Sequence, residues 1–154
     1  MSRELDKTDR QILSILQRDA RISNADLAEK VNLSPTPCLR RLRRLEEEGW
    51  VSGYCAQLNE KQLGYEISAM IFIKLGRNTK AAGQDFEEAL EALPEVAECC
   101  VVTGGHDYVL RVVTRSLVDY EKFLKEKLAT IEQVADIESL IILNRKQMQP
   151  GLGL

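Results

Sequence analysis

Two short stretches of the sequence carry groups that could bind a charged partner. Residues 34–44, SPTPCLRRLRR, hold four arginines and no acidic residue. The planar guanidinium group of arginine suits phosphate and guanine, so this stretch indicates contact with a nucleic acid. Residues 103–108, TGGHDY, place two glycines beside a histidine and an aspartate. The main-chain N–H groups of a glycine turn suit a carboxylate, so this stretch indicates a site for a zwitterion such as a free amino acid.

The arginines are predicted to lie on the last of three helices. One helix over about residues 6–18 begins at an Asp6 cap, a short one begins at Ser23, and a third spans about 35–48, from a Ser34 cap. Helix, short helix, tight turn and basic helix, in that order, predict a helix-turn-helix DNA-binding domain. The alternating residues that follow, WVSGYCAQLN, predict a short strand or wing.

A helical wheel of the basic helix assigns its faces. Leu42 and Leu45 fall on the buried side, and Arg40 and Arg44 fall on the solvent side, with the other two arginines flanking the apolar stripe. The alternative is a solvated face of Arg–Glu pairs, but the glutamates are segregated at positions 46–48. We therefore expect the helix to enter the major groove of DNA. The predicted DNA-binding residues are Ser23, Ser34, Thr36, Pro37, Arg40, Arg41, Arg43 and Arg44.

The second half of the chain alternates strands with helices. Strands are predicted over EISAMIFIKLG, VAECCVVTGG, DYVLRVVT and VADIESLIIL, and helices over KAAGQDFEEALEALPE and SLVDYEKFLKEKLATI. The order β-α-β-β-α-β predicts a ferredoxin-like domain, with a four-stranded antiparallel sheet and two helices on one face. The chain is therefore expected to be α+β, with a DNA-binding domain over 1–58, a linker over 59–65 and the second domain over 66–154.

The sheet face without helices is predicted to mediate dimerisation, since a large exposed apolar surface indicates an interface. Depending on register, this face would carry Ile71, Ile73, Val101 or Leu110.

The first half closely resembles the Lrp/AsnC family of leucine- and asparagine-responsive transcription regulators, and TGGHDYVLRV looks like the effector-site turn of that family. The residues that carry the resemblance are Leu5, Asp6, Asp9, Ile12, Leu13, Arg21, Ser23, Leu27, Ala28, Val31, the run SPTPC, Arg41, Leu45, Glu46 and Gly49. Trp50 departs from the family pattern, and we expect only a packing change from it. The resemblance implies homodimers that assemble into an octamer and bind an amino acid between dimers.

The resemblance also implies which residues hold the effector. They are Thr103, Gly104, Gly105, His106, Asp107 and Tyr108, with Thr130 and Ile131 as candidates for the opposite wall. The ammonium group of a bound amino acid would meet Asp107 or carbonyl oxygens. Leucine or methionine is favoured because the walls around the turn are mainly apolar and because the family often uses leucine; asparagine and lysine stay open.

Other functions remain as alternatives. Taken alone, the glycine turn is a tight hairpin. A DNA-compacting architectural protein would lack an effector, and a metabolite-binding module or an enzyme would lack DNA binding. His106 and Asp107 are adjacent and have no nucleophile as a partner, so no catalytic residues are expected.

Composition limits the remaining classes. The net charge is −3, but the first 59 residues hold ten Lys/Arg and nine Asp/Glu, so the acidic excess lies in the second half. No run of about 18 apolar residues predicts a membrane span, and the charged N-terminus does not resemble a signal peptide. A cytoplasmic protein is expected. The spacing of the four cysteines fits no zinc site, so we expect no metal or cofactor and mostly buried, reduced thiols.

Overall fold

The computed structural model describes residues 4–146 and 151–154. The chain divides into two compact units, Met1–Gln57 with Lys146–Leu154 and Leu58–Arg145. Within the described residues, no helix is long and apolar enough to cross a membrane.

The first unit contains three helices, α1 (Lys7–Leu16), α2 (Asn24–Lys30) and α3 (Pro35–Glu47). Asp6 caps α1, and its carboxylate accepts from the N–H of Asp9 at 2.8 Å, as the spacing of the two aspartates predicts. The core consists of Ile12, Leu13, Leu16, Leu27, Ala28, Val31, Cys38 and Leu45. These side chains come from all three helices, so burial of one apolar cluster packs them together.

The segment after α3 differs from the prediction. Residues 52–58 form neither helix nor strand, because a strand needs a neighbour to complete its hydrogen bonds. Instead, the Nε1 of Trp50 donates to Glu48 at 3.1 Å, and the hydroxyl of Tyr54 donates to Glu46 at 2.7 Å. The glutamates that end α3 therefore hold the segment that follows it.

The second unit has the predicted ferredoxin-like α+β architecture. Its elements are β1 (Ile67–Leu75), α4 (Lys80–Glu91), β2 (Val96–Val101), β3 (Tyr108–Thr114), α5 (Leu117–Lys122) and β4 (Val134–Ile141). A π-helical turn, Phe123–Lys127, and a 3-10 turn, Leu128–Thr130, continue α5. The strands lie in the order β2-β3-β1-β4, and every neighbouring pair is antiparallel.

The strand register corrects the predicted sheet faces. Residues paired across antiparallel strands share a face, and Ile71 pairs with Leu110 in the buried core beneath the helices. Ile73 is also fully buried there, and Val101 lies on the same side at the exposed edge of β2. The helix-free face instead carries Met70, Phe72, Cys100, Val109 and Leu140, together with charged residues such as Lys74, Arg111 and Glu138.

Two further expectations differ from the structure. The segment expected as a linker forms turns at 60–64 and belongs to the second unit, where Glu60 pairs with Arg111 at 2.9 Å. Of the four cysteines, only Cys38 is buried, whereas Cys99 and Cys100 are exposed because β2 is an edge strand.

Candidate functional site

Two carboxylates of α1 bind two of the four arginines of α3. Asp9 is 1% exposed. Its Oδ1 lies 2.8 Å from Nη1 of Arg41, and its Oδ2 lies 2.6 Å from Nη2 of Arg44. Asp6 adds a contact of 2.6 Å to the same Nη1 of Arg41. Two arginines and two aspartates thus form a neutral cluster between the helices.

The cluster also sets the protonation of its members. Hydrogen bonds from the Arg41 side chain to Asp6 and Asp9 raise the pKa of Arg41. The N–H of Asp9, followed by the Arg41 side chain, lowers the pKa of Asp6. Both shifts favour the charged forms, so Asp6 and Arg41 stay ionised near neutral pH.

The other two arginines are free. Arg40 and Arg43 are exposed, and no hydrogen bond or ion pair holds them among the described residues. Thr36, Arg40, Arg43 and Glu47 are spaced by four, three and four residues, so they form one stripe along α3. The expectation that Arg44 faces solvent is wrong, because α1 crosses that side of α3 and brings Asp9 to it.

The two serines predicted to bind DNA differ in whether their hydroxyl groups cap a helix. Ser23 caps α2, accepting from the N–H of Asp26 at 3.1 Å and donating to its carboxylate at 2.6 Å. Ser34 stands at the cap position of α3 and is exposed, but its side chain makes no cap hydrogen bond. Pro37, in the first turn of α3, is half-buried. The hydroxyl of Ser34 is therefore available to a binding partner, whereas that of Ser23 is already hydrogen-bonded to Asp26.

Asn24 is a residue that the sequence reasoning missed. Its Nδ2 donates to the carbonyl oxygen of Pro35 at 2.9 Å, which fixes the start of α3 against α2. A polar residue in the first turn of the preceding helix was the available signal.

Asp107 anchors the glycine turn from the inside. Its carboxylate accepts from the N–H of Leu75 at 2.8 Å, from Nδ2 of Asn78 at 3.0 Å and from Nζ of Lys74 at 3.3 Å. The N–H of Leu75, followed by Lys74, lowers the pKa of Asp107 although burial opposes the shift. Asp107 as a whole residue is 8% exposed, so its carboxylate is not open to the ammonium group of a ligand.

The main-chain N–H groups in the outer part of the turn make no internal hydrogen bonds within the described chain. Val102 donates to the carbonyl of Asp107, but the N–H groups of residues 103–106 have no partner within the described chain. Gly104 has φ +117°, a conformation that favours glycine, and a Cβ at Gly104 or Gly105 would meet open space. The turn therefore presents four unpaired N–H donors, a suitable arrangement for a carboxylate.

The other predicted effector residues make different contacts around this turn. His106 lies 3.4 Å from the carboxylate of Glu138, and its ring centroid is 5.4 Å from that of Phe72 on the helix-free face, with the two rings tilted by 48°. Tyr108 points towards α4 and donates to Glu87 at 2.8 Å; burial raises its pKa to about 12.

Thr130 and Ile131 lie at the same end of the sheet as the turn, since they precede β4, whose Val134 pairs with Leu75. The Thr130 hydroxyl donates to the carbonyl of Lys127 at 2.7 Å, and Ile131 packs on the core. No hydrogen bond joins them to residues 103–108 in the part of the chain that the structure describes.

Comparison with known proteins finds a family model for each half of the chain. A family model described as the Lrp/AsnC ligand binding domain matches residues 68–152, and one described as winged helix-turn-helix DNA-binding matches residues 5–52. The leucine-responsive regulatory protein of Escherichia coli K12 is 39% identical over 141 residues, which cover 92% of this chain and 86% of that protein.

Solved structures are similar over almost the whole length. A transcriptional regulator of Neisseria meningitidis in complex with L-Met has a TM-score of 0.91 and 35% identity, covering 97% of both chains. AsnC of Escherichia coli has a TM-score of 0.81 and 31% identity, covering 96% of this chain and 97% of that one.

Proposed function

The chain belongs to the Lrp/AsnC family of DNA-binding transcription regulators, and from that premise we propose how its own residues bind DNA and an amino acid. This family consists of regulators and not of enzymes, so His106 and Asp107 receive no catalytic role.

The DNA surface is the part of the α3 stripe that Thr36, Arg40 and Arg43 form. These side chains are exposed on the first three turns of α3, where a helix-turn-helix protein contacts base edges in the major groove. The Ser34 hydroxyl has no cap bond and is free to contact a phosphate at the start of the helix. Glu47, at the far end of the stripe, would be repelled by phosphates, so that end points away from the duplex.

The effector is a free amino acid whose carboxylate accepts from the N–H groups of residues 103–106. The observation that carries this proposal is the set of unpaired donors around open space at Gly104 and Gly105. Because Asp107 is already paired, carbonyl oxygens of the turn are the acceptors left for the ammonium group. Asp107 contributes by holding the turn in place.

Leucine or methionine is the effector that we favour. The Neisseria meningitidis relative is a complex with L-Met, and the Escherichia coli relative is named for its response to leucine. In this chain, an exposed valine, Val101, immediately precedes the turn and offers an apolar wall to such a side chain.

The assembly that we propose begins with a dimer through the helix-free sheet face. Met70, Phe72 and Val109 are partly buried there in the single chain, and Leu140 is 55% exposed, so a second copy would remove apolar surface from water. The family resemblance extends this assembly to an octamer of four dimers, with effector bound between dimers and Thr130 and Ile131 of a neighbour facing the turn.

Calorimetric titration of L-leucine and L-methionine tests the effector site. Gly105→Val should keep the fold, since a side chain there meets open space, but should block the approach of a carboxylate to the turn. Gly53→Val is the matched control, because Gly53 is equally open and lies in the first unit. We expect binding by the wild type and the control, and loss of binding by Gly105→Val.

Binding that survives Gly105→Val would place the effector elsewhere. Failure of the wild type to bind leucine or methionine would contradict this choice of effector, and failure to bind any of the twenty amino acids in the same titration would favour the architectural DNA-binding protein.

A further inference from the structure

We propose that Asp9 determines how many arginines of α3 reach DNA, so that two of the four bind phosphates or bases and two hold the helix. This inference rests on the proposed DNA-binding function and adds a positioning role for a residue that does not contact DNA. Asp9 lies on α1, outside the stripe of Thr36, Arg40 and Arg43.

The geometry of Asp9 leaves little freedom to its partners. Each carboxylate oxygen receives a different arginine, Arg41 at 2.8 Å and Arg44 at 2.6 Å. The Asp9 side chain is 2% exposed, whereas the side chains of Arg41 and Arg44 are 30% and 28% exposed. Because a buried carboxylate without cationic partners is unfavourable, the two arginines are kept on the α1 side of α3.

The charges explain why this partition affects DNA binding. Arg41 and Arg44 are neutralised by Asp6 and Asp9, so the cluster presents no net charge to a phosphate backbone. Arg40 and Arg43 have no such partner among the described residues and present two full positive charges. A phosphate that drew Arg41 or Arg44 away from α1 would leave the buried carboxylate of Asp9 with one cationic partner fewer.

The consequence is a limit on sequence-independent affinity. Non-specific binding to duplex DNA depends on the number of phosphates neutralised, whereas base contacts supply discrimination. By removing two arginines from the phosphate count, Asp9 lowers the affinity for every sequence alike and leaves base discrimination to Thr36, Arg40 and Arg43. Base contacts therefore supply a larger share of the remaining binding free energy.

The salt dependence of DNA binding measures how many arginines bind phosphates. The full chain is titrated against a labelled duplex of mixed sequence at several salt concentrations, and log Kobs is plotted against log salt, whose slope is about −0.9 for each phosphate neutralised. Replacing a phosphate-binding residue should flatten the slope by about 1 for each DNA-bound subunit. On a duplex of mixed sequence, which offers no preferred site, Arg40 and Arg43 are expected to contact phosphates instead of base edges. Arg40→Ala and Arg43→Ala should therefore flatten the slope, and Arg41→Ala and Arg44→Ala should leave it unchanged.

The isosteric variant Asp9→Asn provides the opposite change. It removes one of the two negative charges of the cluster and leaves Asp6 on Arg41, so the slope should steepen, by up to about 1 for each DNA-bound subunit, and binding to the mixed duplex should tighten. Loss of fold alone would weaken binding and could not steepen the slope. Fluorescence of Trp50, the single tryptophan, verifies that the DNA-binding unit is folded at the temperature used.

Equal flattening of the salt slope by all four arginine variants would overturn the inference while leaving the proposed DNA binding intact. The comparison of the arginine variants does not depend on whether Asp9→Asn folds. An unchanged or flatter slope in folded Asp9→Asn would also overturn it. Absence of salt-dependent binding by the wild-type protein would instead contradict the proposed function itself.

Discussion

On helix α3 the groups that can bind a partner are charged side chains, and two of the four arginines are already paired with α1. In the turn over 103–106 they are main-chain N–H groups, and none has an internal partner in the described chain. A buried aspartate stands behind each region, Asp9 behind the helix and Asp107 behind the turn. In the proposed function, both carboxylates act by fixing a binding segment in place, without touching the ligand.

The largest expected effect is that of Asp9→Ala on the first unit. Removing Asp9 leaves Arg41 and Arg44 without their buried partner, which should destabilise this unit by about 3 kcal/mol. Denaturant unfolding followed by Trp50 fluorescence measures the change. Asp19→Ala, a change at an exposed aspartate of the same unit, should cost well under half as much. Equal costs for the two variants would contradict the anchoring role of Asp9.

Asp107→Asn should destabilise the second unit by about 1–3 kcal/mol near neutral pH, because three donors lose their charged acceptor. The lowered pKa of Asp107 means that its contribution is complete above the unfolded pKa of about 3.9 and is lost as pH falls through the lower folded pKa. The stability gap between wild type and variant should therefore close below about pH 4. A gap that is the same at pH 3 and pH 7, measured by circular dichroism during denaturation, would refute this role.

Leu140→Arg should weaken the proposed dimer about tenfold or more, since it places a charge where apolar surface is buried. Light scattering across a dilution series measures the dissociation. Leu143→Arg is the control, because Leu143 is 95% exposed and lies beyond the end of β4. Identical dissociation of both variants and the wild type would place the dimer interface on another surface.

The two cap serines give the smallest and most selective effects. Ser23→Ala should cost about 1 kcal/mol of stability, because the Ser23 side chain caps α2. Ser34→Ala should change stability by less than about 0.5 kcal/mol, since its hydroxyl makes no cap bond. DNA titration should show the reverse order, with Ser34→Ala weakening binding more. Equal stability losses would mean that Ser34 caps α3 after all.

Much of the fold follows from local patterns in the sequence. The caps at Asp6 and Ser23 and the spacing of apolar residues predict the helices of the first unit, and the order of elements predicts the second. The choice of sheet face could not be predicted, because both sets of alternate residues in β1 are apolar. Ile71 and Ile73 form one set and Met70 and Phe72 the other, and only the position of the helices distinguishes them.

The two predicted binding segments stay predictions, and the direction of individual side chains within them was not predictable from the sequence. A wheel of α3 contains no information about α1, so it assigned Arg44 to solvent when Asp9 pairs with it. The carboxylate of Asp107 points inward because the strand register places the N–H of Leu75 beside it. Both errors concern contacts between elements that are more than 30 residues apart in the sequence.

The proposed function combines DNA binding by α3 with an amino acid bound at the turn, and a regulator of this kind requires that the bound amino acid change the affinity for DNA. The most direct test measures the affinity of the protein for a duplex that it selects from a random-sequence library, with and without saturating leucine or methionine. Coupling between two sites of an allosteric protein typically amounts to a factor of about 5–150 in affinity, in either direction, and we expect a shift within that range. Superimposable binding curves at effector concentrations that saturate the turn would contradict the account.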